Sequence, residues 1–127
     1  QGWMPAMIND LKYFKHEEFD SPDMPGSGAG MNMEFLKILD QIRGKCGFAF
    51  KINSGFRTAD HNAKVGGKPD SAHTKGLAVD IACTDGHSRY MIVKYAYEMG
   101  IKRIEAAPVW VHLDMDFTKP QEVLFYP

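Results

Sequence analysis

The chain has 127 residues, enough for one domain with one core. Apolar residues make up 44% and charged residues 24%, a globular balance that excludes a disordered chain. A formal net charge of −1 with no basic run argues against a nucleic-acid binder, and no apolar stretch is long enough to span a bilayer, so a soluble protein is expected.

Residues 1–20 include "YFKHEEF", a mixed pattern that gives no clear element. The stretch 20–30, "DSPDMPGSGAG", is dense in Pro, Gly, Ser and Asp and reads as a loop. Asn32 can cap the helix that follows, with Glu34 favourably placed in its first turn. Phe35, Leu36, Leu39, Ile42 and Cys46 recur at helical spacing, and Gly47 is a natural terminator. In 48–52, "FAFKI", Phe48, Phe50 and Ile52 alternate, which predicts a strand. A tight turn over 54–58 and a short helix over 59–65 follow, ended by Gly66 and Gly67.

The stretch 77–83 alternates Leu77, Val79 and Ile81 with Ala78, Asp80 and Ala82, as a strand does. Ser88 can then cap a second long helix, with Met91, Ile92, Tyr95, Ala96 and Met99 on one side and Gly100 at its end. Two short strands are expected at 101–105 and 109–115, separated by Ala-Ala-Pro. The two cysteines, Cys46 and Cys83, have neither disulfide-framework nor zinc spacing and read as small core residues. This order predicts an α+β domain with a small, mostly antiparallel sheet and two main helices.

Asp80 is out of place among alanines, because a buried carboxylate is costly unless a cation or hydrogen-bond donor meets it. In "VWVHLDMD", alternation sends Trp110, His112, Asp114 and Asp116 to one face and Val109, Val111, Leu113 and Met115 to the other. Taken alone, His112 reads as a hydrogen-bonded core histidine. His73, in the loop entering the Asp80 strand, makes a third such group. Two imidazoles and one carboxylate form a three-ligand zinc set with an open fourth position, the pattern of a catalytic site.

These residues carry a resemblance. Ser71-x-His73-x-x-Gly76-x-Ala78-x-Asp80-Ile81, followed by Val111-His112-Leu113-Asp114, resembles the zinc D-alanyl-D-alanine peptidases of the M15 family. Upstream, "SGFRTADHNAKVGG" (54–67) is similar to that family's Ser-Gly-Tyr-Arg-Thr…His-Asn…Val-Gly-Gly segment, with Phe56 where Tyr is commoner. The match covers residues 31–116 and is nearest the short subgroup of phage lysis enzymes and bacterial wall hydrolases. It implies a single zinc peptidase domain over 1–127 with a hedgehog/DD-peptidase-like fold. It also implies one Zn2+ held by His73, Asp80 and His112, with Arg57 meeting a carbonyl oxygen or carboxylate of the substrate. Ser71 matches a small polar residue at the site's edge. Such a cation would offset the cost of Asp80 and bring the pKa of bound water from 15.7 toward ~7. A guanidinium beside the oxyanion is typically worth about 3 kcal/mol.

The chain departs from the family pattern three residues before the last histidine ligand, where many members carry Glu or Asp and this chain has Val109. Asp114, on the His112 face about 7 Å along the strand, is the preferred general base, its alternative role being to orient a ligand. Glu105, across the Ala-Ala-Pro turn, is the second candidate. Trp110 faces the expected site and could wall a substrate or fill the core. His16 and His87 read as surface residues, His61 as a local packing or capping residue that could touch substrate, and Asp116 as the end of a strand.

The function this implies is hydrolysis of an amide bond in peptidoglycan stem peptides, by a carboxypeptidase or an endopeptidase, in a monomer. The alternative is a zinc-stabilised binding module without turnover, as in the related hedgehog signalling domains. The sequence opens at Gln1 without a methionine or signal-peptide core. Either a phage protein held in the host cytoplasm until lysis or an exported bacterial enzyme fits.

Overall fold

The computed structural model describes residues 11–127, so the first half of the stretch 1–20 lies outside the described residues. Helix α1 is Met33–Cys46. Asn32 is extended and its Oδ1 accepts from the Phe35 amide at 3.0 Å, while Gly47 at φ 77° turns the chain off the far end. Helix α2, Ala59–Lys64, is capped by the Thr58 hydroxyl. Helix α3, Gly86–Glu98, is capped by Asp85, whose carboxylate accepts from the Ser88 amide at 2.9 Å. Ser88, the cap expected from sequence, is thus a donor in the first turn. Asp85 competes better because a carboxylate also meets the positive end of the helix dipole.

Five strands form one sheet in the order β1-β2-β4-β3-β5. They are β1 Ile52–Ser54, β2 Ala78–Ala82, β3 Arg103–Ala106, β4 Trp110–Asp114 and β5 Val123–Phe125. All pairs are antiparallel except β3 with β5, so the α+β, mostly antiparallel expectation holds. The strand expected at 48–52 is displaced: only Ile52 belongs to β1. Phe50 is instead buried in an aromatic cluster, 5.8 Å from Phe48 and 6.3 Å from Phe14 between ring centroids. Their alternation reflects core packing rather than a ladder.

The two sheet faces differ in kind. Val79, Ile81, Ile104, Val111 and Leu113 point into one core with Phe35, Leu36, Leu39 and Ile42 of α1 and Ile92 and Ala96 of α3. Cys46 and Cys83 are buried there too. By alternation the opposite face carries Asp80, Arg103, Glu105, Trp110, His112 and Asp114. A bulge in β1 adds a fourth strand to that face. Ile52 pairs with Ile81 on the core side, yet Ser54, two residues on, pairs with Asp80 on the other. One extra residue re-aims the side chain that period two would have sent to the core.

Candidate metal centre and active site

One rung of the sheet builds most of the site. Register places Ser54, Asp80, His112, Glu105 and Phe125 in a row across β1, β2, β4, β3 and β5. His73 reaches the same place from a 3-10 turn, Ala72–Lys75, that runs straight into β2. The Ser71 hydroxyl caps this turn by accepting from the His73 amide at 3.2 Å. Ser71 is therefore engaged in holding His73 and is not among the residues lining the site hollow. Gly76 ends the turn at φ 71°, and a Cβ there would run into the Gly30 carbonyl oxygen.

His73, Asp80 and His112 offer ligand atoms that all lie within 4.8 Å of one another. His73 Nδ1 is 2.8 Å from the Gly55 carbonyl oxygen. A carbonyl only accepts, so Nδ1 carries the proton and the Nε2 lone pair faces Asp80 Oδ2 at 3.4 Å. His112 Nε2 is 2.7 Å from Asp114 Oδ2 and donates to it, which turns Nδ1 toward Asp80 Oδ1 at 2.8 Å. Two imidazole lone pairs thus converge on a carboxylate. That arrangement repels itself unless protons or a cation lie between, and the donor set is the one zinc takes. With protons there, burial disfavours charge on His112. Hydrogen bonds to Asp114 and Asp80 outweigh it and push its pKa up to about 9. Burial likewise opposes ionisation of Asp80, but its bonds to His112 and His73 hold it below the usual carboxylate range.

Asp114 is tied into the sheet by three hydrogen bonds. It is buried, and both its oxygens are taken. Oδ1 accepts from Arg103 Nε at 2.8 Å and from the Asp116 amide at 3.0 Å, and Oδ2 accepts from His112. Burial raises its pKa, but the bonds from His112 and the Asp116 amide hold it net below the ordinary carboxylate value, and the group fixes the orientation of the His112 ring. Glu105, half-buried opposite His112, accepts one side-chain bond among the described residues, from Trp110 Nε1 at 3.2 Å. Sequence reasoning missed Arg103, although alternation puts it on the Glu105 face.

Arg57 stands over Asp80, with Nη2 3.7 Å from Oδ2. Ser54 Oγ accepts from its Nε at 3.1 Å and Asn62 Oδ1 from its Nη1 at 3.2 Å. Asn62 is buried and was also missed; its Nδ2 donates to the Lys68 carbonyl. A hollow of about 380 Å³ opens here, lined by Ser54, Arg57, His61, Val65, Asp80 and Trp110 among others. His61 and Trp110 thus belong to its wall. Asp116 lies beyond β4 and is buried under Lys75 Nζ (2.8 Å) and the Thr118 hydroxyl (2.6 Å), which pins the His73 turn to the chain after β4. His87 is exposed, and His16 is half-buried away from the lining of this hollow.

Among the described residues no helix is long and apolar enough to cross a membrane. No curated protein matches the sequence. A family model described as Peptidase M15 matches residues 12–114, a span that holds His73, Asp80, His112, Asp114 and every residue named as holding them in place from Gly55 to Arg103. On that match, over most of its length, the chain belongs to the peptidase M15 family.

Proposed function

We propose that this peptidase is a zinc enzyme that hydrolyses an amide bond in peptidoglycan stem peptides, as a carboxypeptidase or an endopeptidase, with the whole chain forming one peptidase domain. The observation that carries the reading is the pair of imidazole lone pairs, Nε2 of His73 and Nδ1 of His112, aimed at the Asp80 carboxylate. His73, Asp80 and His112 would hold one zinc ion. When bound, it supplies Lewis acidity that polarises the scissile carbonyl and acidifies water.

The chain's own residues do the rest. Glu105, one strand away from His112 and bound among the described residues only to an indole N–H, takes the proton of the attacking water and delivers it to the leaving amine. This assigns to Glu105 the role for which strand geometry and the family resemblance favoured Asp114. Arg57, braced by Ser54 and Asn62, presents its guanidinium to the oxygen on which charge develops. Trp110 walls the substrate, and Ser71 contributes through the position of His73. A second reading, a zinc-stabilised binding module without turnover, is favoured by Val109 at the position where many relatives keep an acid.

The test is zinc content by atomic absorption together with amine release from purified stem peptides. One zinc per chain is expected, with hydrolysis that a chelator abolishes and that His73→Ala lacks. Stoichiometric zinc without product anywhere between about pH 6 and 9, the range in which a proton carrier of this kind works, would leave the binding reading. Absence of zinc binding would remove both.

A further inference from the structure

Resting on the peptidase reading, we propose that the site is built for endopeptidase cleavage: the substrate chain runs on past the scissile bond on both sides. Two further hollows adjoin the one at Asp80. It shares His61 with a second hollow of about 390 Å³, lined by Pro22, Asp23, Asp60 and Lys64. It shares Trp110 with a third of about 590 Å³, formed by Arg89, Ala106, Ala107, Pro108 and Tyr126 with the chain end. The two flanking hollows have no lining residue in common, so they adjoin the central one at different walls.

A carboxypeptidase must recognise a free carboxylate one residue beyond the bond it cuts, about 3.5 Å of chain away, and for that it needs an unengaged cation. Arg57 is the wrong one. Its Nε and Nη1 are spent on Ser54 and Asn62, and its Nη2 lies 3.7 Å from the Asp80 carboxylate. On the Trp110 side Arg89 is the only cation among the described lining residues, and its guanidinium is spent on backbone. Nε donates to the Ala107 carbonyl at 3.0 Å, and Nη2 to those of Pro108 at 2.7 Å and Cys83 at 3.5 Å. What the shelf offers instead is an apolar and aromatic surface, with Tyr126 73% exposed. On the His61 side, Lys64 is outnumbered by Asp23 and Asp60. Neither flank attracts a terminal carboxylate. Both accept a continuing chain, with neutral residues on the Trp110–Tyr126 shelf.

Two synthetic stem peptides test this on the zinc-loaded full chain. One has the scissile amide internal, with at least two residues on each side. The other ends in a free carboxylate one residue past it. Mass spectrometry is expected to show the first cut at least about tenfold more efficiently in kcat/KM, the scale of lost subsite contacts, with no single terminal residue released from either. Tyr126→Ala should weaken binding of the long peptide to the chelated protein by about three- to tenfold, the range of one aromatic contact. Release of the terminal residue from the short peptide as fast as the long one is cut overturns the proposal while leaving the peptidase reading intact. So does wild-type affinity of Tyr126→Ala for the long peptide. Zinc-loaded protein that cuts neither peptide overturns both.

Discussion

Changing Asp114 to Asn separates an orienting carboxylate from a proton carrier. The amide keeps one acceptor. Placed at the Oδ1 position, it preserves the bonds from Arg103 Nε and the Asp116 amide, and leaves an NH2 at 2.7 Å from His112 Nε2. Two donors cannot face each other, so the imidazole must move its proton to Nδ1, the nitrogen that faces Asp80 and would ligate. Losing a partner of this kind typically costs 10–100-fold in metal affinity. The substitution also removes the anion that neutralises Arg103, whose side chain is 13% exposed. A fully buried unpaired charge costs about 3–5 kcal/mol. Arg103 keeps a bond from Nη1 to the Pro120 carbonyl at 2.7 Å and some access to water, so about 2–3 kcal/mol is expected. Zinc affinity by competition with a chromophoric chelator and stability by urea unfolding read the two effects. Asp114→Asn with wild-type zinc affinity would refute the tautomer argument. A variant that binds zinc as wild type but loses turnover would restore Asp114 as the base.

Glu105→Gln should do the reverse, lowering peptide hydrolysis by about 10²–10⁴-fold while leaving zinc affinity within about threefold; unchanged turnover excludes Glu105 as proton carrier. Gly76→Ala places a Cβ against the Gly30 carbonyl at a residue of φ 71°, and should cost about 2–4 kcal/mol in urea unfolding, with loss of zinc affinity because the His73 turn must shift. The carboxyl of Asp116 is raised by burial but held net below its ordinary value by hydrogen bonds from Lys75 and Thr118. A depressed carboxylate stabilises the fold above its unfolded value of 3.8 and loses that contribution as pH falls through the acid range. Unfolding measured at neutral and acid pH should therefore show a flatter acid limb for Lys75→Met than for wild type, and parallel limbs would show that the clamp contributes nothing.

What was legible in the sequence is what repeats at a fixed period. The Phe35, Leu36, Leu39, Ile42 stripe and the alternation in 78–82 and 110–114 each bury one face, so periodicity reports them directly. The same signal misled at Phe48 and Phe50, where side chains alternate into an aromatic cluster without a paired backbone. β5 was unreadable because Val123–Phe125 is three residues long and pairs only with a parallel neighbour. At the site, alternation put Asp114 on the correct face but could not report that Arg103, from the adjoining strand, occupies its oxygen. Cross-strand partners depend on register, which one strand's pattern does not contain. The same limit hid the bulge that turns Ser54 toward Asp80.

The division of labour between sheet and loops explains why this site needs so little chain. Asp80, His112 and Glu105 share one rung, so backbone hydrogen bonds of three strands fix their relative positions before any side chain is considered. Only His73 and Arg57 come from outside the ladder, and those two segments are tied to each other. The Arg57 amide donates to the His73 carbonyl at 3.1 Å, and His73 Nδ1 donates back to Gly55. Phe56 is anchored in turn to the Phe19 carbonyl at 2.8 Å. Fixing those loops costs about 1–2 kcal/mol per residue in backbone entropy, and this reciprocal pair, one bond main-chain and one from Nδ1, offsets it without using the ring nitrogen that faces Asp80. His73 can therefore be held rigidly while its Nε2 stays free to ligate, a combination that a side-chain clamp on the imidazole from the site side would forbid.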